Sequence, residues 1–173
     1  MRVFFALPLQ EQLKLEIDQW RNDSLPPSQN AVPAANFHIT LAFIGQIKDS
    51  DIDVLYHRTD QLIKSNTFSK EALKLIDTGF WPKPGILWIG PTDWPDDLTK
   101  LAGKLQNVGR NFGAKKAKKS YRPHLTLSKK THKPSYPIEA PKFELDYNQI
   151  TLYHSISMKA GVRYTALNSW PLL

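Results

Sequence analysis

The tetrad His-x-Thr-Leu occurs twice in this chain, as His38-Ile39-Thr40-Leu41 and as His124-Leu125-Thr126-Leu127. Each copy closes a similar stretch of sequence. The first stretch begins with Val3-Phe4-Phe5-Ala6-Leu7-Pro8 and the second with Ile86-Leu87-Trp88-Ile89-Gly90-Pro91. Both openings are short apolar runs of the kind that form buried strands, and each leads through an amphipathic helical segment and a polar loop to its tetrad. From proline to histidine the distance is 30 residues in the first half and 33 in the second. This pattern predicts a divergent duplication: two strand–helix–strand lobes, each presenting one His-x-Thr-Leu strand to a shared cleft.

Alternation along a strand fixes what each tetrad offers. His38 and Thr40 share one face while Ile39 and Leu41 point to the other, and the same split divides His124 and Thr126 from Leu125 and Leu127. Each strand therefore buries an aliphatic pair and presents an imidazole and a hydroxyl. Arg122 precedes His124 by two residues, so an extended chain puts it on the histidine's face. A lone strand histidine is more often structural than catalytic, and threonine is simply a good strand residue. Two matched pairs at repeat-related positions shift the balance to function.

The rest of the chain frames these strands. Leu9, Leu13, Ile17 and Trp20 recur at helical spacing, and residues 21–36, rich in Asn, Ser, Pro and Ala, form a loop. A strand over 37–44 stops at Gly45, and a helix follows with Ile52, Leu55, Tyr56, Thr59, Leu62 and Ile63 on one stripe. Strand-like segments return at 72–80 and 86–89, and a helix striped by Leu98, Leu101, Ala102, Leu105 and Phe112 comes next. A basic loop leads to 123–128, and the tail, 143–154 and 162–167, alternates like a β hairpin. Strands adjacent in sequence, mixed with helices, predict an α+β class in one domain over 1–173.

Composition excludes several chemistries. The chain has 173 residues, 41% of them hydrophobic, enough for a real core. It has no cysteine, which removes disulfides, thiol nucleophiles and cysteine-ligated zinc. No apolar run is long enough to span a membrane, and the apolar start ends at Pro8, so it reads as a strand; the expected location is cytoplasmic. With no heptad pattern, the expected state is a monomer. Asp49, Asp51 and Asp53 alternate like a calcium loop, but Val54 occupies the glycine position. His57, His132 and His154 have no zinc spacing, so neither metal nor cofactor is expected. No P-loop and no G-x-S-x-G elbow is present.

The paired histidines suit acid–base chemistry, and the charge of the chain suits an anionic partner. Formal charge is +7, with Lys115, Lys116, Lys118 and Lys119 before the second tetrad and Lys129, Lys130 and Lys133 after it. Such a balance favours anionic partners. Opening a cyclic phosphodiester needs a base for water, an acid for the leaving oxygen and donors for the phosphoryl oxygens. Two histidines and two threonine hydroxyls supply this set, with Arg122 as a phosphate clamp. Phe37, Trp81 and Tyr121 are candidates for stacking on a base, against the commoner alternative of core packing.

These motifs resemble those of the 2H phosphoesterase superfamily, named for two H-x-[ST]-hydrophobic motifs, and within it the branch of RNA 2′,3′-cyclic phosphodiesterases historically called 2′-5′ RNA ligases. The resemblance extends over Arg2 to Leu7, His38 to Gly45, Leu87 to Gly90 and Arg122 to Leu127. It implies a bilobal α+β fold, two pseudo-twofold-related lobes of antiparallel sheet plus helices around a central cleft. It also implies metal-independent hydrolysis of 2′,3′-cyclic phosphate ends of RNA to 2′-phosphates. His38 would protonate the leaving 3′ oxygen and His124 would accept a proton from water; spacing alone does not assign that order. Many relatives carry an arginine shortly after the second motif, where this chain has Lys129-Lys130. Lysine keeps the charge without the bidentate geometry, which bears on substrate preference and reverse 2′-5′ joining. Two alternatives stay open: a phosphodiesterase for a small cyclic nucleotide or ADP-ribose cyclic phosphate, and a non-catalytic RNA- or nucleotide-binding module.

Overall fold

A computed structural model describes residues 1–173. Its centre is a seven-stranded antiparallel sheet. In chain order its strands are β1 (Arg2–Pro8), β2 (His38–Gln46), β4 (Asp77–Trp81), β5 (Ile86–Gly90), β6 (Leu125–Ser128), β8 (Gln149–Met158) and β9 (Gly161–Pro171). The spatial order is β4-β5-β6-β2-β1-β8-β9, while β3 (Glu71–Leu75) and β7 (Phe143–Tyr147) form a separate ribbon. The order reads the same way outward from its middle: each tetrad strand is flanked by the opening strand of its own half, β6 by β5 and β2 by β1. The two tetrad strands meet through a single registered pair, Ile39 opposite Leu125, and the segment before β2 adds a bridge between Ala31 and Ser128.

The ladders correct the sequence alignment of the two halves. Leu7 lies opposite Ile39 in one lobe and Ile89 opposite Leu125 in the other. Leu7 is thus equivalent to Ile89, and Pro8 to Gly90 rather than to Pro91. Gly90 occupies a place where a Cβ would stand 2.8 Å from the Pro123 carbonyl oxygen, so close backbone approach beside His124 requires a glycine there.

Three helices complete the lobes: α1 (Glu11–Ser24), α2 (Ile52–Ser65) and α3 (Asp96–Arg110). In α1, Leu13 and Ile17 are buried, and the helix stops before Leu25 and the prolines that follow. In α3, Leu98, Leu101, Ala102, Leu105 and Gly109 form the buried stripe, and Asp96 and Asp97 sit in the first turn where the helix dipole favours acids. Leu13, Ile17, Leu98, Leu101, Ala102 and Leu105 join one hydrophobic cluster with Ile39, Leu41, Leu125 and Leu127. The expected alternation is observed: the tetrad aliphatics are buried, while His38, Thr40, His124 and Thr126 are half-buried.

Several boundaries differ from the sequence expectation. The segment 72–80 is two strands in two sheets, broken at Ile76, whose amide bonds the Gly90 carbonyl at 3.1 Å. Likewise 143–154 divides at Asn148: β7 pairs with β3, and only β8 pairs with β9 as the tail hairpin. Helix α1 extends through Ser24, and α3 ends at Arg110. No helix is long and apolar enough to cross a membrane.

Candidate active site

Both histidines are held by the same device. The His38 Nδ1 lies 2.7 Å from the carbonyl oxygen of Asn36, and the His124 Nδ1 lies 2.9 Å from that of Arg122. A carbonyl only accepts, so each Nδ1 carries the proton and donates it to the backbone two residues upstream. Each Nε2 is then left for chemistry. That of His38 faces the Thr40 hydroxyl at 3.0 Å; that of His124 has no protein partner. Thr40 lines both halves of the cleft, one containing His124, Tyr121 and Arg122, the other His38, Thr126 and Lys129.

The surroundings are aromatic. Phe4 of β1 and Tyr164 of β9 stand 4.9 and 5.2 Å from the His38 ring, centroid to centroid. Trp81 of β4 stands 4.6 Å from His124, with 76° between the ring planes. Burial in this apolar setting pushes the His38 pKa down to about 4, against the Asn36 hydrogen bond, which raises it; the charges of Lys129, His124 and Lys14 lower it further. Burial also lowers His124, opposed by the bond to the Arg122 carbonyl and helped by the Arg122 charge. At neutral pH both imidazoles are therefore uncharged in the free protein.

Arg122 shares the cleft with His124, as its spacing predicts. Its guanidinium lies 4.8 Å from the Trp88 ring centroid, and its Nη2 reaches Asp77 at 3.4 Å in a partly exposed pair. Tyr121 donates its hydroxyl to the Thr40 carbonyl at 3.1 Å, tying the basic loop to β2. Lys129 lines the His38 side of the cleft. Phe37 corrects the expectation placed on it: it is 2% exposed, beneath the Arg21 guanidinium at 4.8 Å, so it is a core residue without a face for a base.

Sequence reasoning missed Arg21. From α1 its Nη1 donates to the carbonyls of Val32 at 2.7 Å and Leu127 at 2.9 Å, bonding the first lobe's helix to the second tetrad's strand. It also missed Gly79 on β4, where a Cβ would fall 2.1 Å from the Trp88 ring. A lone arginine in an amphipathic helix and a glycine in a short strand carry no sequence signal of these tasks. No three His, Asp or Glu side chains gather closely enough to hold a metal ion.

Comparison with known proteins agrees with this architecture. The RNA 2′,3′-cyclic phosphodiesterase of Escherichia coli (strain K12) is 31% identical over 177 residues, spanning 99% of this chain and 96% of its own. That of Methanocaldococcus jannaschii is 24% identical, spanning 98% of this chain and all of its own. The crystal structure of E. coli LigT complexed with 3′-AMP superposes with a TM-score of 0.88 at 29% identity, over 99% of this chain and 97% of that one. The sequence model of the 2′-5′ RNA ligase superfamily matches residues 9–154, and the chain belongs to that superfamily.

Proposed function

We propose that this chain hydrolyses 2′,3′-cyclic phosphate ends of RNA to 2′-phosphates, with His38 and His124 as its acid–base pair. The observation that carries the proposal is the repeated Nδ1-to-carbonyl bond, which leaves two Nε2 atoms for one cleft. The relatives named RNA 2′,3′-cyclic phosphodiesterase support the reaction class, and the 3′-AMP bound by E. coli LigT supports a nucleotide ligand.

In this mechanism a water oxygen attacks phosphorus in line with O3′. The His124 Nε2 accepts the water proton as the new P–O bond forms. The P–O3′ bond breaks, and O3′ takes a proton from the His38 Nε2, leaving the phosphate on O2′. His38 enters the step as imidazolium; the negative charge of a bound phosphodiester opposes the burial that keeps it neutral in the free protein. Thr40 and Thr126 donate hydroxyl hydrogens to the phosphoryl oxygens, and Arg122 and Lys129 balance their charge. Tyr121 acts by holding the Thr40 backbone.

The test is turnover of a short RNA ending in a 2′,3′-cyclic phosphate, in EDTA, by wild type, His38→Ala and His124→Ala. Conversion to a 2′-phosphate by wild type, reduced at least about a hundredfold in each variant, is expected. A wild type that binds the RNA without turning it over would instead favour a binding module.

A further inference from the structure

The half of the cleft beside His124 is far larger than the proposed reaction needs. Its volume is about 740 Å³, against 260 Å³ on the His38 side, whereas an attacking water occupies about 30 Å³. The space extends away from His124 along α3, between that helix and the basic loop 111–122. On the helix its lining falls on one stripe, Thr99, Gly103, Gln106 and Arg110, spaced by four, three and four residues. Across from the stripe stand Lys116 and Lys119, with Lys83 near Trp81.

Charge and shape of this extension point the same way. Lys83, Arg110, Lys116 and Lys119 are exposed and none is in an ion pair, while no Asp or Glu lines the space. Cations left without counter-ions around a concave surface concentrate positive potential there. Gly103 adds an independent observation. A glycine inside a helix costs about 1 kcal/mol relative to alanine, yet a Cβ at Gly103 would meet nothing within 4 Å. No packing in the protein itself accounts for it, and its effect is to keep the floor of the groove at the helix backbone. The Gln106 amide donates to the Lys115 carbonyl at 2.8 Å, anchoring the basic loop along the groove's far side.

We propose that this groove between α3 and the basic loop is a single-strand RNA site, holding nucleotides beyond the one that bears the reacting phosphate. The proposal rests on the hydrolase reading for its link to turnover, and it makes the enzyme selective for oligonucleotides over cyclic mononucleotides. Arg110, Lys116 and Lys119 contact backbone phosphates, and Gly103 lets the strand approach the helix.

The experiment compares wild type with Gly103→Leu, which fills the groove without charge change, and with Arg110→Glu/Lys119→Glu, which reverses its potential. Substrates are a cyclic mononucleotide and a six-nucleotide RNA ending in a 2′,3′-cyclic phosphate. Affinity is read separately, by anisotropy of a fluorescein-labelled hexauridylate. Both variants are expected to lose about tenfold in hexamer affinity and in hexamer kcat/KM, through KM, with mononucleotide turnover within about twofold of wild type. The double variant should also lower the slope of log affinity against log salt by about 1.4, or about 0.7 per phosphate contact. Gly103→Leu should melt no lower than wild type. Equal losses on both substrates, or hexamer affinity unchanged in both variants, would overturn the groove. Turnover by wild type with variants indistinguishable from it would leave the hydrolase standing and remove the groove. Salt-sensitive hexauridylate binding lost in the variants, with no turnover of any substrate, would do the reverse.

Discussion

Ile39 stands opposite Leu125 at the middle of the sheet, and both side chains are fully buried. This pair joins the tetrad strands of the two lobes, so it sets the register of His38 and Thr40 against His124 and Thr126. Shortening either side chain removes core volume and loosens the junction. Ile39→Ala and Leu125→Ala should each lower unfolding stability by about 2–5 kcal/mol. The double variant should lose less than the sum, because the residues are neighbours. Urea unfolding of the four proteins measures this, and strict additivity would show that the pair does not couple the lobes.

Arg21 reaches the same junction from α1. Arg21→Met keeps much of the aliphatic stem over Phe37 but leaves the Val32 and Leu127 carbonyls without their donor. The expected loss is about 1.5–3 kcal/mol, as for buried hydrogen bonds to a charged group. Because Leu127 follows Thr126, kcat on a cyclic-phosphate RNA should fall as well, with less change in KM. A variant as stable as wild type by urea unfolding would refute the bracing role.

The motif strands were legible in the sequence because alternation and repetition are local signals: the burial of Ile39, Leu41, Leu125 and Leu127 follows from period two alone. Register was not. Pro8 and Pro91 look equivalent in sequence, yet backbone pairing matches Pro8 with Gly90, because the ladders obey hydrogen bonding between strands rather than residue type. The breaks at Ile76 and Asn148 were invisible for a related reason. Neither is glycine or proline, and each strand changes sheet only because its partner lies elsewhere in the chain. Phe37 shows the limit of counting aromatics, since its burial comes from a core assembled from the whole chain, with Arg21, sixteen positions away in sequence, over its ring.

Gly79 is a steric requirement of the second lobe. A Cβ there would lie 2.1 Å from the Trp88 ring, and Trp88 carries the Arg122 guanidinium on its face. Gly79→Ala should therefore push the indole aside and cost about 1–3 kcal/mol through overpacking. The displaced Arg122 should raise KM for a cyclic-phosphate RNA. Thermal melts together with initial-rate kinetics check both, and an unchanged melting temperature would contradict the tight approach.

The pH–rate profile should be displaced to the acid side. The kcat/KM profile reports the free enzyme, in which one histidine must be protonated and the other neutral. With His38 near 4 and His124 also lowered, the protonated fraction of His38 falls about tenfold per pH unit through the neutral range. The kcat/KM optimum should lie below the ordinary histidine value of about 6.5. A bound phosphodiester raises both imidazoles, so the kcat profile should peak at higher pH than the kcat/KM profile. A kcat/KM optimum above about 7.5 would contradict the burial-driven shift.

Stability should record the same burial with its own sign. His38 titrates at about 4 in the folded protein and at about 6.5 in the unfolded chain. Between those values the unfolded chain binds more protons, so stability falls as pH drops through that window. Above it the group is neutral in both states, and below it the group is charged in both, so the loss is confined there. The difference corresponds to about 3 kcal/mol at most from this one group. Carboxylates titrate in the lower part of the same window, so the informative quantity is a difference between proteins. Urea unfolding at pH 7.5 and pH 4.5 should give a smaller acid loss for His38→Gln than for wild type, because glutamine has no proton to gain. Equal losses in the two proteins would place the His38 pKa near its unfolded value and remove the basis for a neutral donor in the resting site.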